Sequence, residues 1–286
     1  MIEQTSIEEF KVNLRGQLIL PGDEDYDEAC KIYNAMIERR PGMIARCADV
    51  GDVMAAVNFA RENDVLVAIR GGGHNGPGLG TCDDGLVIDM SAIKYTRVDP
   101  QKQTVQVGGG CTWGDVDHAT HAFGLAVPTG IVSTTGVGGL TLGGGHGYLT
   151  RKYGLTIDNL LGADMVLADG SFVSVSAEEN QDLFWAIRGG GGNFGVVTEF
   201  RFQAHPVHTI VGGLTLWPQE KTTEAMRWFR DLMQEAPEDL YGFFAIFTVP
   251  PGPPFPEELH MKKMCGVVWC YTGPESEAEA VYQPVK

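Results

Sequence analysis

The 286 residues include 21 basic and 37 acidic side chains, a net charge of −16, which argues against nucleic acid or an anionic membrane as the main partner. A hydrophobic content of 43% supports a sizeable core, in one large domain or two ordinary ones. The start, MIEQTSIEEFK, places acids where a secretion signal needs a basic stretch, and no later apolar run reaches membrane-spanning length, so a cytoplasmic protein is expected. Cys30, Cys47, Cys82, Cys111, Cys265 and Cys270 contain no CxxC pair, which indicates neither a zinc knuckle nor a disulfide framework.

In chain order, YDEACKIYNAMIER (26–39) has apolar residues at helical spacing ahead of Pro41, and a helix is expected there. MIARC reads as a short strand. Asp49 followed by Asp52 opens a second helix over DVMAAVNFARE in the manner of a capping box, with Asp in the Glu role. VLVAI is then a strand, giving a β-α-β start with parallel pairing. GLVIDM and TVQVGGG are strands and TWGDVDHATHAFG is a helix ending at Gly124. After a glycine-rich stretch (130–147), DNLLGADMVLADGSFVSVS alternates as an antiparallel hairpin turning at Asp169-Gly170, and VVTEFRFQAHP is a further strand. The order is α+β rather than a doubly wound sheet.

From about residue 208 the composition shifts. TIVGGLTLWP, TTEAMRWFRDLMQEA, YGFFAIFTVP and MCGVVWCYTG read as strand, helix, strand and strand, the beginning of a second α+β domain, and ESEAEAVYQPVK as the start of a helix. The expected division is 1–207 and 208–286. Trp217, Trp228 and Trp269 belong to the second module, where packing explains them.

Glycine is the compositional outlier, 38 residues gathered in clusters at 71–80, 108–110, 136–147 and 189–195. Clusters at strand ends mark places where backbone comes close to something. Gly71, Gly73 and Gly76 satisfy GxGxxG with Asp89 beyond, the form of a nicotinamide-binding Rossmann loop. That loop must lead into a helix, and Pro77-Gly78-Leu79-Gly80 breaks one, which leaves nicotinamide binding a minor alternative. No Gly-Lys-Ser/Thr follows any cluster, which excludes a Walker loop. Successive N–H groups of a glycine turn can still cradle a diphosphate without a helix. Ser133, Thr134 and Thr135 add small hydroxyls, and LFWAIRGGGGNFGVVTEF (183–200) is a third segment of close approach, so the three together point to a large phosphate-bearing ligand. His118 and His121 sit three apart in an expected helix, a spacing that could suggest a metal, but no carboxylate or cysteine cluster supports one.

VAIRGGGHN, TGVGGLTLGGG, RKYGLTIDNLLGADMVLADG and LFWAIRGGGGNFGVVTEF, in this order, resemble the FAD-binding domain of the vanillyl-alcohol-oxidase (PCMH) type. Within it they are most similar to the berberine-bridge-enzyme-like oxidases and the 6-hydroxy-D-nicotine oxidase group, over roughly residues 20–275. The resemblance implies an α+β FAD domain of two subdomains followed by a substrate domain, with FAD as cofactor. It implies that Arg70, Gly71, Gly72, Gly73, His74, Asn75 and Gly76 surround the pyrophosphate, with His74 joined to the flavin 8α-methyl. Thr134, Gly136, Gly138 and Gly139 would line the diphosphate and ribose, Gly143 to His146 would pass the flavin, and Val197 would meet the adenine end through backbone. His146 and Tyr148 flank the flavin-side glycines as candidates to polarise substrate or tune oxygen access, with packing an equal alternative. Many relatives add a cysteine link just ahead of GVGG. Val132 occupies that place, so attachment through His74 alone is expected.

The resemblance further implies hydride transfer from an alcohol or amine C–H of a small molecule to flavin, with reoxidation by oxygen. Relatives normally return to the FAD domain after the substrate domain with a segment carrying an Asn-Tyr motif and often a catalytic Tyr. None of this lies within the 286 residues. A fragment, or a flavin-binding product that does not turn over alone, is therefore an expectation beside the oxidase, and no catalytic base is named.

Overall fold

The computed structural model describes residues 3–285. Two compact units divide them: the chain up to Gly147 with Leu155–Pro206, and Tyr148–Gly154 with Val207 onward.

The first unit begins with α1 (Gln4–Asn13), β1 (Gln17–Ile19), a single turn α2 (Tyr26–Ala29) and β2 (Met43–Arg46). Next come α3 (Val50–Glu62), β3 (Val67–Arg70) and β4 (Leu86–Asp89). The strands form a sheet ordered β1-β2-β4-β3, with β4 parallel to both β2 and β3, so the β-α-β start encloses a third strand between its two. α3 lays Val53, Ala56, Val57 and Phe59 onto Leu86 and Ile88 of this sheet.

Asp49 caps α3 by accepting from the Asp52 N–H at 3.1 Å. The expected reciprocal half of that box is absent. The buried Asp52 carboxylate instead accepts from the N–H groups of Arg15, Gly16 and Ala48 at 2.8–2.9 Å, tying the start of β1 to the end of β2. Three backbone donors with no strand partners satisfy a buried carboxylate better than one cap N–H.

The helix expected over 26–39 stops at Ala29. Beyond it, the Tyr33 N–H donates to the Gly73 carbonyl and the Asn34 amide donates to the Gly76 carbonyl. Ile32 lies against Gly73, and Ile37 against Gly78. The apolar residues that mimic a helical stripe are thus anchors for the glycine loop after β3, and Met36, which would have belonged to that stripe, is exposed. Tertiary contacts override local periodicity here.

The second subdomain is an antiparallel sheet of order β5-β6-β10-β8-β9. Its strands are β5 (Thr96–Asp99), β6 (Thr104–Gly108), β8 (Leu160–Val166), β9 (Phe172–Ser176) and β10 (Val196–Gln203). β8 and β9 form the expected hairpin, with Gly170 in the left-handed region at φ 84°. α4 (Trp113–His121), α5 (Val137–Leu142) and α7 (Gln181–Ile187) pack around a core containing Trp113, Phe200, Phe202 and Met165. A short pair, β7 (Leu125–Ala126) with β11 (His205–Pro206), completes the unit.

The second unit holds α6 (Thr150–Tyr153), β12 (Val211–Pro218), α8 (Thr222–Glu235), β13 (Leu240–Thr248), β14 (Lys263–Tyr271) and α9 (Glu275–Val281). Its antiparallel sheet runs β12-β14-β13. Leu240, Val267, Trp269 and Tyr271 form the core under Trp228 and Phe229 of α8. Arg151 of α6 donates to the carbonyls of Met233 and Ala236, closing the C-terminal end of α8.

Candidate functional site

β3 delivers the chain into Gly71-Gly72-Gly73-His74, and α4 delivers the approach to a second glycine segment. Thr112 and Asp115 close a capping box at the head of α4, where the Thr112 N–H and hydroxyl both donate to the Asp115 carboxylate at 2.8 Å. Residues 133–137 run beside this corner. The Trp113 N–H donates to the Thr135 carbonyl, the Gly114 N–H to the Ser133 carbonyl and the Val137 N–H to the Cys111 carbonyl, all at 2.8–2.9 Å.

The two glycine segments then touch backbone to backbone. A Cβ on Gly72 would stand 2.3 Å from the Gly136 nitrogen, and one on Gly136 would stand 2.2 Å from the Gly72 nitrogen. No side chain fits on either side, which explains the glycines by close approach rather than by turn geometry. Gly109 joins the same place. Its N–H donates to the Thr198 carbonyl at 2.8 Å, and its Cβ would meet the Val197 carbonyl at 2.4 Å. A Cβ on Gly71 or on Gly138 would stand 3.6 or 3.8 Å from the Gly109 carbonyl oxygen. Gly76 and Gly139 open onto free space. The result is a backbone-lined junction between the two subdomains of the first unit, with peptide dipoles and room in place of side chains.

His74 leaves this junction with its ring held on three sides. Tyr33 stacks on it with centroids 4.0 Å apart and planes 18° from parallel. The Thr134 hydroxyl is 3.0 Å from Nε2 and the Thr135 hydroxyl 3.4 Å from Nδ1. Partial burial lowers the His74 pKa from its ordinary value, which favours the neutral, nucleophilic imidazole at pH 7.

Arg70, Gly71, Gly72, Gly73, His74, Thr134, Gly136, Gly138 and Val197 therefore share one neighbourhood, with two changes of role. The Arg70 guanidinium does not face the loop: it is buried, donating to Asp89 at 2.8 Å and to the Ala29 carbonyl at 2.7 Å. Asp89, the acid a nicotinamide site would have used, is spent in that ion pair, and no helix follows Gly76. The Asn75 side chain accepts from the Leu79 N–H and shapes the turn. Gly143 to His146 lie at the far end of α5, about 9 Å along a six-residue helix. The Gly144 and Gly145 carbonyls there accept from the N–H groups of Ile157 and Thr156.

Sequence reasoning missed Tyr33 and Asn34, assigned to a helix, and Gly109, counted in a cluster but given no role. Cys111 and Trp113 gave no signal at all, because only their backbones act. A separate cavity of about 430 Å³, lined by residues including Ile93, Tyr95, Asp164 and Glu199, shares none of the expected site residues except through Thr198, the neighbour of Val197. It is the lesser candidate, since it lacks the converging glycine backbones.

Residues 41–176 match a family described as FAD binding domain. The curated (R)-6-hydroxynicotine oxidase of Paenarthrobacter nicotinovorans is 39% identical over 207 residues, 72% of this chain and 45% of the relative. The crystal structure of 6-hydroxy-D-nicotine oxidase from Arthrobacter nicotinovorans superposes with a TM-score of 0.86 at 33% identity, covering 96% of this chain and 59% of that one. Residues 41–176 therefore carry the FAD binding domain, and the chain is similar over most of its length to FAD-linked oxidoreductases. A further relative by structure is the glucooligosaccharide oxidase of Acremonium strictum, described with a 6-S-cysteinyl, 8α-N1-histidyl FAD. It has a TM-score of 0.83 and 27% identity, covering 98% of this chain and 57% of that chain. The chain spans about half the length of the curated relatives it matches first. The FAD binding domain match spans both glycine segments of the junction, and among the described residues no helix is long and apolar enough to cross a membrane.

Proposed function

We propose that the chain forms the flavin-holding part of an FAD-dependent oxidase, with the cofactor attached through His74 alone. In this reading residues 1–207 are the FAD domain and 208–286 contribute to a substrate domain. The Gly71–Gly76 and Thr134–Gly139 backbones take the diphosphate and ribose, the Val197 backbone meets the adenine end, and Gly143 to His146 run beside the flavin. Once bound, FAD supplies a ring that accepts hydride from an alcohol or amine C–H and yields its electrons to dioxygen. The protein's own part is to present unobstructed N–H dipoles to the phosphates and to hold a neutral imidazole at the loop exit. A single observation carries the reading: Gly72 and Gly136 meet without room for a Cβ, and His74 emerges at their edge with both ring nitrogens facing hydroxyls.

Val132, exposed and one residue ahead of Ser133-Thr134-Thr135, supports attachment by histidine only, in contrast to the doubly linked oxidase from Acremonium. The six cysteines are all buried and unpaired, as suits a protein of the reducing cytoplasm. The alternative reading is a flavin binder that does not turn over. Anaerobic mixing of the flavin-loaded chain with a panel of sugars, secondary alcohols and amines separates the two. Bleaching of the flavin band, followed on admitting oxygen by its return and by hydrogen peroxide, is the expected oxidase behaviour. A band untouched by every class establishes the inert binder, and a chain that takes up no flavin overturns both.

A further inference from the structure

The setting of His74 contains more than a covalent link requires, because its two ring nitrogens have unequal neighbours. Thr135 is half-buried, and its backbone is fixed on both sides. The Trp113 N–H holds its carbonyl at 2.9 Å, and the next residue, Gly136, is bridged to Thr112 and pressed against Gly72. Thr134 is exposed, and its hydroxyl can rotate to water. Tyr33 covers one face of the imidazole and limits rotation about the Cβ–Cγ bond. A neutral imidazole has one N–H and one lone pair, and the hydrogen bond made by one nitrogen decides which of the two the other carries.

Resting on the reading of His74 as the attachment point, we infer that Thr135 and Tyr33 are positioning residues for the attachment reaction. Thr135 accepts the Nδ1 hydrogen and thereby leaves the lone pair on Nε2, the atom that bonds to the flavin. Tyr33 holds the ring plane in register with the loop exit. The Thr134 hydroxyl meets Nε2 before the cofactor arrives and turns away to solvent when it does. Overall the reaction removes one hydrogen from the imidazole and one from the flavin 8-methyl group, joins nitrogen to carbon, and passes two electrons and two protons to dioxygen as hydrogen peroxide. The flavin ends in its oxidised state. No protein group is consumed, so the hydroxyl of Thr135 acts through the tautomer it selects and not as a reactant.

The test follows attachment rather than turnover. Flavin-free full-length chain is mixed with FAD in air, and at intervals the acid-precipitated flavin is measured alongside total bound flavin. Thr135→Val, which keeps the shape and removes the hydroxyl, should slow the appearance of acid-stable flavin by about tenfold, the scale of one lost orienting hydrogen bond. The rates are compared at equal amounts of bound FAD, so that a change in noncovalent affinity does not enter. Thr135→Ser should restore the rate, which a purely structural defect would not allow. Tyr33→Leu should slow attachment by about threefold, less than Thr135→Val. Independently of any variant, long-range proton–nitrogen NMR of the flavin peptide from the wild-type chain should place the methylene on Nε2. Attachment by Thr135→Val at the wild-type rate, or a methylene on Nδ1, overturns this inference and leaves the His74 link standing. A wild-type chain that binds FAD and never yields acid-stable flavin overturns the link itself.

Discussion

The glycine junction of the first unit and the aromatic core of the second reach tight packing by opposite means. At the junction, Gly72 and Gly136 have no side chains, and two backbones meet where even a methyl group would collide. In the second unit, Trp269 packs edge-on to Trp228, Phe229 and Tyr282 at centroid separations of 5.8–6.4 Å, and its indole N–H donates to Thr215. The first arrangement brings peptide groups together with no side chain between them. The second buries ring surface and pairs the Trp269 indole N–H. The proposed binding of a charged, extended cofactor rests on the first kind of packing, and the stability of a small sheet-and-helix layer on the second.

The contrast can be broken from either side. Arg70→Ala, which leaves the buried Asp89 carboxylate with only the more distant Arg46 guanidinium at 3.7 Å, should destabilise the first unit by up to about 3–5 kcal/mol and remove flavin binding with it, read by denaturant unfolding and flavin content. Trp269→Ala should cost the second unit a similar or slightly smaller amount, about 3–4 kcal/mol, seen in near-ultraviolet circular dichroism while flavin content stays as in wild type. Loss of flavin from that variant would mean that the two kinds of packing are not separate. Gly136→Ala should cost about 1–3 kcal/mol of strain at the junction and weaken FAD by at least about tenfold, measured by titration of the flavin-free chain.

The smallest effect lies in the α4 cap. Burial alone would raise the Asp115 carboxyl pKa, but hydrogen bonds from Thr112 and Lys94 outweigh it and hold the pKa below its ordinary value. A carboxylate depressed on folding contributes stability above the ordinary carboxylate range and loses it as pH falls through the folded value. Asp115→Asn should therefore cost about 0.5–1 kcal/mol at pH 7 and close to nothing below about pH 3, measured as the difference in denaturation midpoints.

The strand-helix-strand-strand succession of the second unit and the hairpin at Asp169-Gly170 were legible in the sequence, because alternation and turn residues are local signals. The junction was legible only in part. Glycine clusters announced that something comes close, yet not that Gly72 meets Gly136 across sixty residues, since a missing side chain has no preferred partner. Met36 shared the helical spacing of Ile32 and Tyr33, and only the three-dimensional approach to Gly73 shows that this stretch packs on a loop. Asp52 looked like half of a capping box because composition near a helix start does not record which distant N–H groups need an acceptor. α5 formed inside a glycine-rich stretch to which no element was assigned, because Val137 and Leu142 are buried, and their burial outweighs the poor helix propensity of Gly138 and Gly139.

The central claim is that the glycine junction holds FAD with His74 bonded to it. Acid precipitation of the purified chain after reconstitution with FAD, beside a His74→Ala variant treated identically, tests it in one step. The account predicts a yellow pellet from the wild-type chain, and a colourless pellet under a yellow supernatant from the variant. A colourless wild-type pellet, or a His74→Ala pellet that keeps all its colour, would contradict it.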